Sequence, residues 1–417
     1  MTAAGARGDE GGLVQRYLEL GLALGRHVEG LVDAYYGPPE HAARASAGPA
    51  VAPAALAERA RRLLGDLDAG VPLEGDAGTG APGAPAGADS QRRRWLAAQV
   101  RGLHTTARRL AGEAIAYPDE VEWCYGVRPA PVPEEEFAAA HARLAEVVPG
   151  SGPLAERFVA WRESHAVSPD RLEAAIGSLA DDLRERTQSR LGLPEGERVD
   201  FELVTDRPWS GFNYYLGDLR SRVAVNIDLP VLSTSLAHLV AHEAYPGHHT
   251  EHSRKEAGLV RRRRWMEETI FLVGTPQCLL AEGLADLGLE VVVGPRPEAM
   301  VAAHLRPLGI RYDAELIATV SEAAEVLSKV RANAAWRLHV DSADPDLVVD
   351  ELARWSLSSR PRAEKAVAFL LDDTWRAYIT CYVEGLALCR AFVGTDTGRF
   401  ARLVSEQLVP ADLADAA

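Results

Sequence analysis

The sequence predicts a mainly α-helical fold, and three observations support this. Over most of the 417 residues, apolar side chains recur at the three- and four-residue spacing of an amphipathic helix. Clusters of proline and glycine divide these helical stretches at short intervals. Residues 199–228 instead carry neighbouring β-branched residues, which favours strands. We therefore expect long helices accompanied by one small β-ribbon.

The N-terminal part, residues 1–70, is expected to consist of helices. Apolar residues follow helical spacing from Leu13 to Val32, and Gly37-Pro38-Pro39 would end this helix. The intervening Asp33-Ala34-Tyr35-Tyr36 is interpreted as a packing corner that its two tyrosines hold. A second helix is expected from Ala52 to Leu67.

Residues 71–90 include a run rich in Gly, Ala and Pro, a composition typical of a flexible loop. The rest of the chain, residues 91–417, is expected to form a helical domain continuous with residues 1–70. Proline-rich interruptions and helical spacing predict helices at 91–111, from Tyr117, and at 134–147, 154–165, 169–191, 298–304, 313–339, 346–355 and 362–392, the last with breaks.

The β-ribbon is expected to use Phe201–Val204 and Arg222–Ile227 as strands, with a turn-rich aromatic segment between them at 208–217. It leads directly into the next helix. The segment either lines a cleft, with Asn226 as its polar contact, or forms a corner of the core.

That next helix contains the most informative stretch, His238 to His252, which reads HLVAHEAYPGHHTEH and holds five of the 12 histidines. An apolar run followed by His242-Glu243 is typical of a zinc-peptidase helix, in which the His binds metal and the Glu is the general base. The second histidine of such a helix usually follows four positions after the first, one turn along. Here that position is Pro246.

Proline cannot continue the helix normally, so the chain must kink, bulge or end beside His242. If a bulge absorbs the two extra residues, His248 is the second ligand; if the helix continues, His249 lies on the face of His242. We favour His248, because an undistorted helix separates positions 242 and 249 by about 10 Å. The alternative without metal is a polar helix end whose histidines are solvated.

A site of this kind needs a third protein ligand, usually a Glu on another helix. Glu282 follows an apolar stretch, so its carboxylate is expected to emerge from a buried helix, where it requires a counter-charge. Asp286 lies one turn later and could accept a hydrogen bond from a metal-binding His. The alternative is an exposed acidic stripe.

The stretch HEAYPGHH resembles the HExxPGHH signature of a bacterial family known as domain of unknown function 885. The fold of that family resembles the Taq-type zinc carboxypeptidases. The resemblance implies a long-helix metallopeptidase-like fold with a central cleft and the β-ribbon beside the metal helix. The family also has an E-G-W-A-L-Y-like segment, which Glu282, Gly283 and Ala285 match and which Leu284, Asp286 and Leu287 do not.

A third segment, Tyr378 to Gly385, resembles the family's C-terminal Y-x-x-G, with Tyr382 at the tyrosine position. A tyrosine facing the metal could donate a hydrogen bond to the oxyanion of a tetrahedral intermediate. A buried structural tyrosine is the alternative. Arg390 could anchor a substrate carboxylate, or could be an ordinary surface arginine.

Composition excludes several classes of protein. The formal net charge of −15 disfavours nucleic acid as a partner, and the run Arg261–Arg264 is interpreted as a solvated helix face. No apolar run approaches the roughly 20 residues of a membrane helix, and the N-terminus lacks a signal-peptide core, which predicts a cytoplasmic protein. The four cysteines have no C-x-x-C spacing and are expected to be buried thiols.

The sequence therefore predicts a zinc-dependent hydrolase of small peptides or related amides, with its metal site within 242–286. His242, His248 and Glu282 would hold Zn²⁺, Glu243 would be the base, and His249 would lie behind a ligand or beside the oxyanion. A carboxypeptidase-like activity follows from fold analogy alone. The alternatives are a non-catalytic metal-binding protein with a degenerate peptidase site and a scaffold without metal. The sequence does not indicate the substrate or the oligomeric state.

Overall fold

The computed structural model describes residues 11–74, 88–207, 209–372 and 375–414. Within these ranges the protein is mainly helical, as predicted. Most of the loop predicted at 71–90 lies outside the described residues, but residues 88–90 already belong to a helix. No helix in the described ranges is long and apolar enough to cross a membrane.

The N-terminal part forms helices and one short strand: α1 (Leu13–Leu24), β1 (Val32–Tyr35), α2 (Pro39–Ser46), α3 (Pro53–Asp68) and α4 (Ala88–Leu110). The helix predicted to run from 13 to 32 was too long: it ends at Leu24, turns follow, and Val32 pairs with Leu272 of a distant strand. The predicted corner is present: the Tyr35 hydroxyl donates to the Pro38 carbonyl and the Tyr36 hydroxyl donates to that of Glu268.

The next four helices agree with the prediction to within a few residues: α5 (Tyr117–Tyr125), α6 (Glu134–Val147), α7 (Leu154–Glu163) and α8 (Pro169–Leu191). Each begins at or beside a proline. Proline is favoured there because its fixed φ suits the first turn and its missing N–H has no helical partner.

A three-stranded mixed sheet follows, made of β2 (Arg198–Val204), β3 (Gly211–Gly217) and β4 (Arg220–Asn226). The strand order is β2-β4-β3, with β2 parallel and β3 antiparallel to β4. The two predicted strands are therefore confirmed. The segment at 208–217 was wrongly predicted to be only a turn: most of it is β3, because the tight turn at Asp218-Leu219, with positive φ at both residues, folds it back onto β4.

The metal-site region comprises α9 (Ser233–Glu243), α10 (His248–Lys255), a π-helical turn (Glu256–Arg261), a 3₁₀ turn (Met266–Thr269), β5 (Ile270–Leu272) and α11 (Pro276–Val293). The C-terminal part adds α12 (Glu298–Leu305), α13 (Ala314–Ala324), α14 (Val330–His339), α15 (Pro345–Trp355), α16 (Arg360–Leu371), α17 (Ile379–Val393), α18 (Thr397–Leu403) and α19 (Pro410–Ala414). The helix predicted at 313–339 is divided by the 3₁₀ turn Glu325–Lys329.

Helix α11 lies at the centre of this arrangement. It is buried on nearly all sides and packs against α4, α5, α8, α9 and α17. A helix that is apolar all round belongs in the core of a large protein. The N-terminal helices join the same body, because β1 pairs with β5 and because α1, α3 and α4 share a core with Ile270, Leu272 and Val409.

Candidate metal centre

The chain breaks between α9 and α10 at the position where proline interrupts the motif. Helix α9 ends at Glu243, the Tyr245–Pro246 peptide bond is cis, and α10 begins at His248. A side chain at Gly247 would bring its Cβ within 1.9 Å of the His242 carbonyl oxygen, so only glycine fits this turn. The predicted interruption is thus a complete break, after which a second helix starts.

The break brings the three predicted metal ligands together. Nε2 of His248 lies 3.1 Å from Nε2 of His242, which lies 3.3 Å from Oε2 of Glu282; Oε1 of Glu282 lies 3.8 Å from Nε2 of His248. Ligand atoms about 2.0–2.1 Å from a tetrahedral zinc ion are separated by roughly 3.3 Å. The three side chains therefore have a spacing compatible with a zinc ion, and the cluster contains His248, not His249.

Neighbouring charges act strongly on this cluster: burial alone would lower the pKa of His242, but Asp286 and Glu282 raise it well above its usual value. Burial would raise the pKa of Glu282, but His242 and His248 lower it. Burial and the neighbouring His242 lower the pKa of His248 to about 4, so its imidazole is neutral and able to bind metal. Oε2 of Glu282 is buried and, apart from its 3.3 Å contact with Nε2 of His242, has no hydrogen-bond partner among the described residues.

A second carboxylate orients the first ligand. Nδ1 of His242 donates a hydrogen bond to Oδ1 of Asp286 at 2.8 Å, the contact that the sequence suggested. His238 lies one turn earlier on α9, with its Nε2 3.2 Å from the same oxygen. Burial would raise the pKa of Asp286, but both histidines hold it well below its usual value. An ionised Asp286 keeps Nε2 of His242 directed at the ligand cluster.

Glu243, the predicted general base, sits at the end of α9 beside the sheet. The side-chain amide of Asn213 on β3 donates to the Glu243 carbonyl at 2.5 Å, and a Cβ at Gly211 would lie 3.2 Å from Glu243 Oε1. Burial, opposed by His242 and reinforced by Glu282, raises the pKa of Glu243 to about 7. A carboxyl group with such a pKa can both accept and return a proton near neutral pH.

His249, which was predicted to lie behind a ligand or beside the oxyanion, lies outside the cluster of His242, His248 and Glu282. Its side chain is fully buried, and its two ring nitrogens are hydrogen-bonded to Ser221 Oγ and Glu197 Oε2, each at 2.8 Å. Glu197 also accepts a hydrogen bond from Tyr245. With both nitrogens occupied in the interior, His249 fixes the start of α10 to the sheet instead of meeting a substrate.

Two tyrosines of the C-terminal segment approach Glu282. Tyr378 donates to Glu282 Oε1 at 3.0 Å, and Tyr382, the residue predicted to act, donates to the Tyr378 hydroxyl at 3.3 Å and is 40% exposed. The two residues are four positions apart, so the spacing alone could have indicated that both face the site. Sequence reasoning chose the outer tyrosine and missed the inner one.

Paired glycines allow this approach. A Cβ at Gly283 on α11 would lie 2.2 Å from the Gly385 carbonyl oxygen, and a Cβ at Gly385 on α17 would lie 2.5 Å from that of Leu279. The glycines that follow Glu282 and Tyr382 in their motifs are therefore the contact points of two crossing helices.

Asp33 is a further residue that sequence reasoning missed. It lies at the irregularity between Val32 and Ala34 in β1, and such bulges redirect side chains. Burial raises the pKa of Asp33 to about 7, and the carboxylates of Glu282 and Glu243 add to the effect. Its carboxyl group is therefore close enough to Glu282 and Glu243 to interact with them electrostatically, although the aromatic corner around it suggested only packing.

Comparisons with known proteins give little guidance. No protein-family model matches the chain, and no curated protein matches it. Two solved structures are similar: a "putative lipoprotein" from Colwellia psychrerythraea (TM-score 0.48, 14% identity, 86% of this chain and 68% of that one) and a "putative lipoprotein of unknown function" from Shewanella oneidensis (TM-score 0.46, 12% identity, 89% and 74%). Similarity at this level does not carry a function from one chain to another.

Asn226 and Arg390 make other contacts than the ones that the sequence suggested. Asn226 donates to the carbonyls of Arg207 and Trp209, so it organises the end of β4, while Asn213 contacts the metal helix. Arg390 forms ion pairs with Glu325 and Glu290 at the surface, which is the alternative interpretation.

Proposed function

We propose that the protein is a zinc-dependent hydrolase of peptide or related amide bonds. The observation that carries the proposal is the spacing of His242, His248 and Glu282, whose ligand atoms lie 3.1–3.8 Å apart. Two imidazoles and one carboxylate that leave a fourth position open are the usual ligand set of a catalytic zinc ion. The resemblance of HEAYPGHH to domain of unknown function 885 supports the same assignment.

Bound zinc would supply Lewis-acid activation of water and of the substrate carbonyl. Glu243, adjacent to His242, accepts the proton of the attacking water and returns it to the leaving amine. Its pKa of about 7 suits both transfers. Asp286 holds His242 in the orientation that exposes Nε2 to the ligand cluster.

Tyr378 and Tyr382 provide two further hydroxyl groups beside the ligand cluster. Tyr378 holds Glu282 through its hydroxyl, while the partly exposed Tyr382, whose hydroxyl donates to Tyr378 in this structure, could turn to donate to a substrate oxygen. Arg390 is engaged elsewhere, so the proposal does not include a C-terminal carboxylate anchor. Small peptides or amides are the proposed substrates, and the cytoplasm, where the four buried thiols stay reduced, is the proposed compartment.

The test combines metal analysis with one substitution. Purified protein should contain about one zinc ion per chain by plasma mass spectrometry, and should release amines from a library of short peptides. Glu243→Gln should keep the fold and the zinc but lose at least 10²-fold in activity. Glu315→Gln, on the surface of α13, is the matched control and should change neither.

Two results would overturn the proposal. Protein that neither contains zinc nor takes it up has no metal site at these residues. Full activity in the Glu243→Gln variant would show that the observed hydrolysis does not depend on this base.

A further inference from the structure

A second buried cluster of charged side chains lies along α10 and the 3₁₀ turn before β5. It contains the ion pair of Lys255 with Glu251, in which Nζ donates to Oε1 at 2.7 Å, and the pair of Arg92 with Glu267 at 2.6 Å. Glu268 is the fifth charged member and is 4% exposed. Two cations and three carboxylates leave one negative charge without compensation inside the protein.

Several oxygen atoms in this cluster have no hydrogen-bond partner among the described residues. They belong to side chains that are at least nine-tenths buried: Oε2 of Glu251, Oε1 of Glu268, Oε1 of Gln277, Oε1 of Gln407 and the Tyr17 hydroxyl. Buried polar atoms are nearly always satisfied by protein, water or an ion. Five such atoms in one cluster therefore indicate a missing partner.

Hydrogen bonds connect the two amide side chains to carboxylates of the cluster. Nε2 of Gln277 donates to Glu268 Oε2 at 3.4 Å, and Nε2 of Gln407 donates to Glu267 Oε1 at 3.1 Å. Each amide therefore touches a carboxylate of the cluster through its nitrogen, while its oxygen has no hydrogen-bond partner among the described residues. The cluster thus combines unpartnered carboxylate and amide oxygens with one uncompensated negative charge.

We propose that this cluster binds one alkali cation, Na⁺ or K⁺. Hard cations prefer carboxylate and amide oxygens, which are the atoms that lack partners here. One positive charge balances the excess of one carboxylate, whereas a divalent ion would leave the interior positive. A proton on Glu268 would also balance the charge, but it would satisfy one acceptor and leave the others without a partner.

Thermal unfolding at pH 8 tests the proposal. The melting temperature is measured in 100 mM NaCl, in 100 mM KCl and in 100 mM tetramethylammonium chloride. The ionic strength is the same in all three salts, but tetramethylammonium is too large to enter a small cation site. A cation that binds the native state at ten times its Kd or more should raise the melting temperature by about 2 °C or more. Line broadening of the ²³Na resonance, reversed by added K⁺, should report binding directly.

Two variants locate the effect. Glu268→Gln removes the uncompensated charge at nearly constant shape and should abolish the difference between the salts. Gln277→Met removes one amide oxygen, together with the Nε2 donor to Glu268, and should weaken binding roughly tenfold, the equivalent of a contact of about 1.4 kcal/mol. The surface variant Glu315→Gln should behave as the wild type.

Equal melting temperatures in the three salts, with an unbroadened ²³Na resonance, would show that a proton or water fills the cluster and would overturn the proposal. A salt difference that persists in the Glu268→Gln variant would do the same, because the ion would then bind elsewhere. Neither outcome bears on the zinc site, whose test is metal content.

Discussion

At the scale of single residues, the metal cluster depends on how the chain turns between Glu243 and His248. Gly247 permits a turn so tight that a Cβ would collide with the His242 carbonyl oxygen. The turn places Nε2 of His248 3.1 Å from that of His242. The next residue, His249, points into the interior toward Ser221. His248 and His249, although adjacent in sequence, therefore have different surroundings. Substituting each of them separately should have different effects.

We expect His248→Ala to lose most of its bound zinc while keeping its fold, because it removes one of three protein ligands. His249→Ala should retain zinc but lose about 1–3 kcal/mol of stability, because it leaves Glu197 and Ser221 without a buried partner. Zinc content after dialysis and urea unfolding of the metal-free proteins are the measurements. Loss of zinc in the His249 variant with retention in the His248 variant would contradict this assignment.

Glu268 provides a prediction about pH. Burial raises its pKa to about 7, with Lys255 opposing the shift and Glu267 and Glu251 adding to it. Between the unfolded pKa near 4.5 and the folded value near 7, the native state holds a proton that the unfolded state has released. Stability from this residue is therefore present at low pH and declines as pH rises through that window.

We expect Glu268→Gln to match the wild type in stability near pH 4.5 and to exceed it at pH 8. The gain should be on the order of 3 kcal/mol, the equivalent of the pKa shift. Urea unfolding across this range, in tetramethylammonium buffer, measures the difference. A constant difference between the two proteins at all pH values would mean that Glu268 titrates normally.

At the scale of elements, the site depends on the crossing of α11 and α17. The helices meet at Gly283 and Gly385, where neither position has room for a Cβ. This contact brings Tyr378 on the approach to α17 within 3.0 Å of Glu282 on α11. The close packing of the two helices therefore also fixes the position of Glu282, the proposed third metal ligand.

We expect Gly283→Ala to destabilise the protein by about 1–3 kcal/mol or more and to weaken zinc binding, because the helices must separate. Gly177→Ala is the matched control: Gly177 lies on the exposed face of α8, where a Cβ meets nothing within 4 Å. It should stabilise the protein by about 0.5–1 kcal/mol. Chemical unfolding and zinc titration of both variants are the tests, and equal effects would argue against a tight crossing.

The sequence predicted those elements that depend on local signals. Prolines marked the starts of α5 to α8, and β-branched residues marked β2 and β4. The end of α1 and the existence of β1 could not be predicted, since β1 forms by pairing with β5 far along the chain. In the site, motif spacing identified His242, His248 and Glu282, whereas the partners of Asp33 and His249 arise only from tertiary structure.

At the scale of the whole molecule, the N-terminal helices are tied to the body that carries the metal site. Three features connect the N-terminal helices to this body: a shared apolar core, the β1–β5 pairing and one internal ion pair. Arg92 on α4 and Glu267 before β5 are both fully buried, and two hydrogen bonds of 2.6 and 2.8 Å join them. Arg92 also donates to the Glu74 carbonyl. A paired guanidinium of this kind is tolerated inside a protein only while its carboxylate remains.

We expect Glu267→Gln to lower the free energy of unfolding by about 3–5 kcal/mol, because it leaves the Arg92 charge buried without its counter-charge. Glu113→Gln breaks the ion pair of Glu113 with Arg108, which is partly exposed, and should cost at most about 1 kcal/mol. Urea unfolding at pH 8 compares them with Glu268→Gln, the same change at the neighbouring position, which should stabilise. If the Glu267 variant loses no more than the Glu113 variant, the ion pair does not hold the N-terminal helices in place, and the apolar core must do so. Opposite signs at two adjacent glutamates would instead show that buried charge stabilises this fold only where a partner is already present.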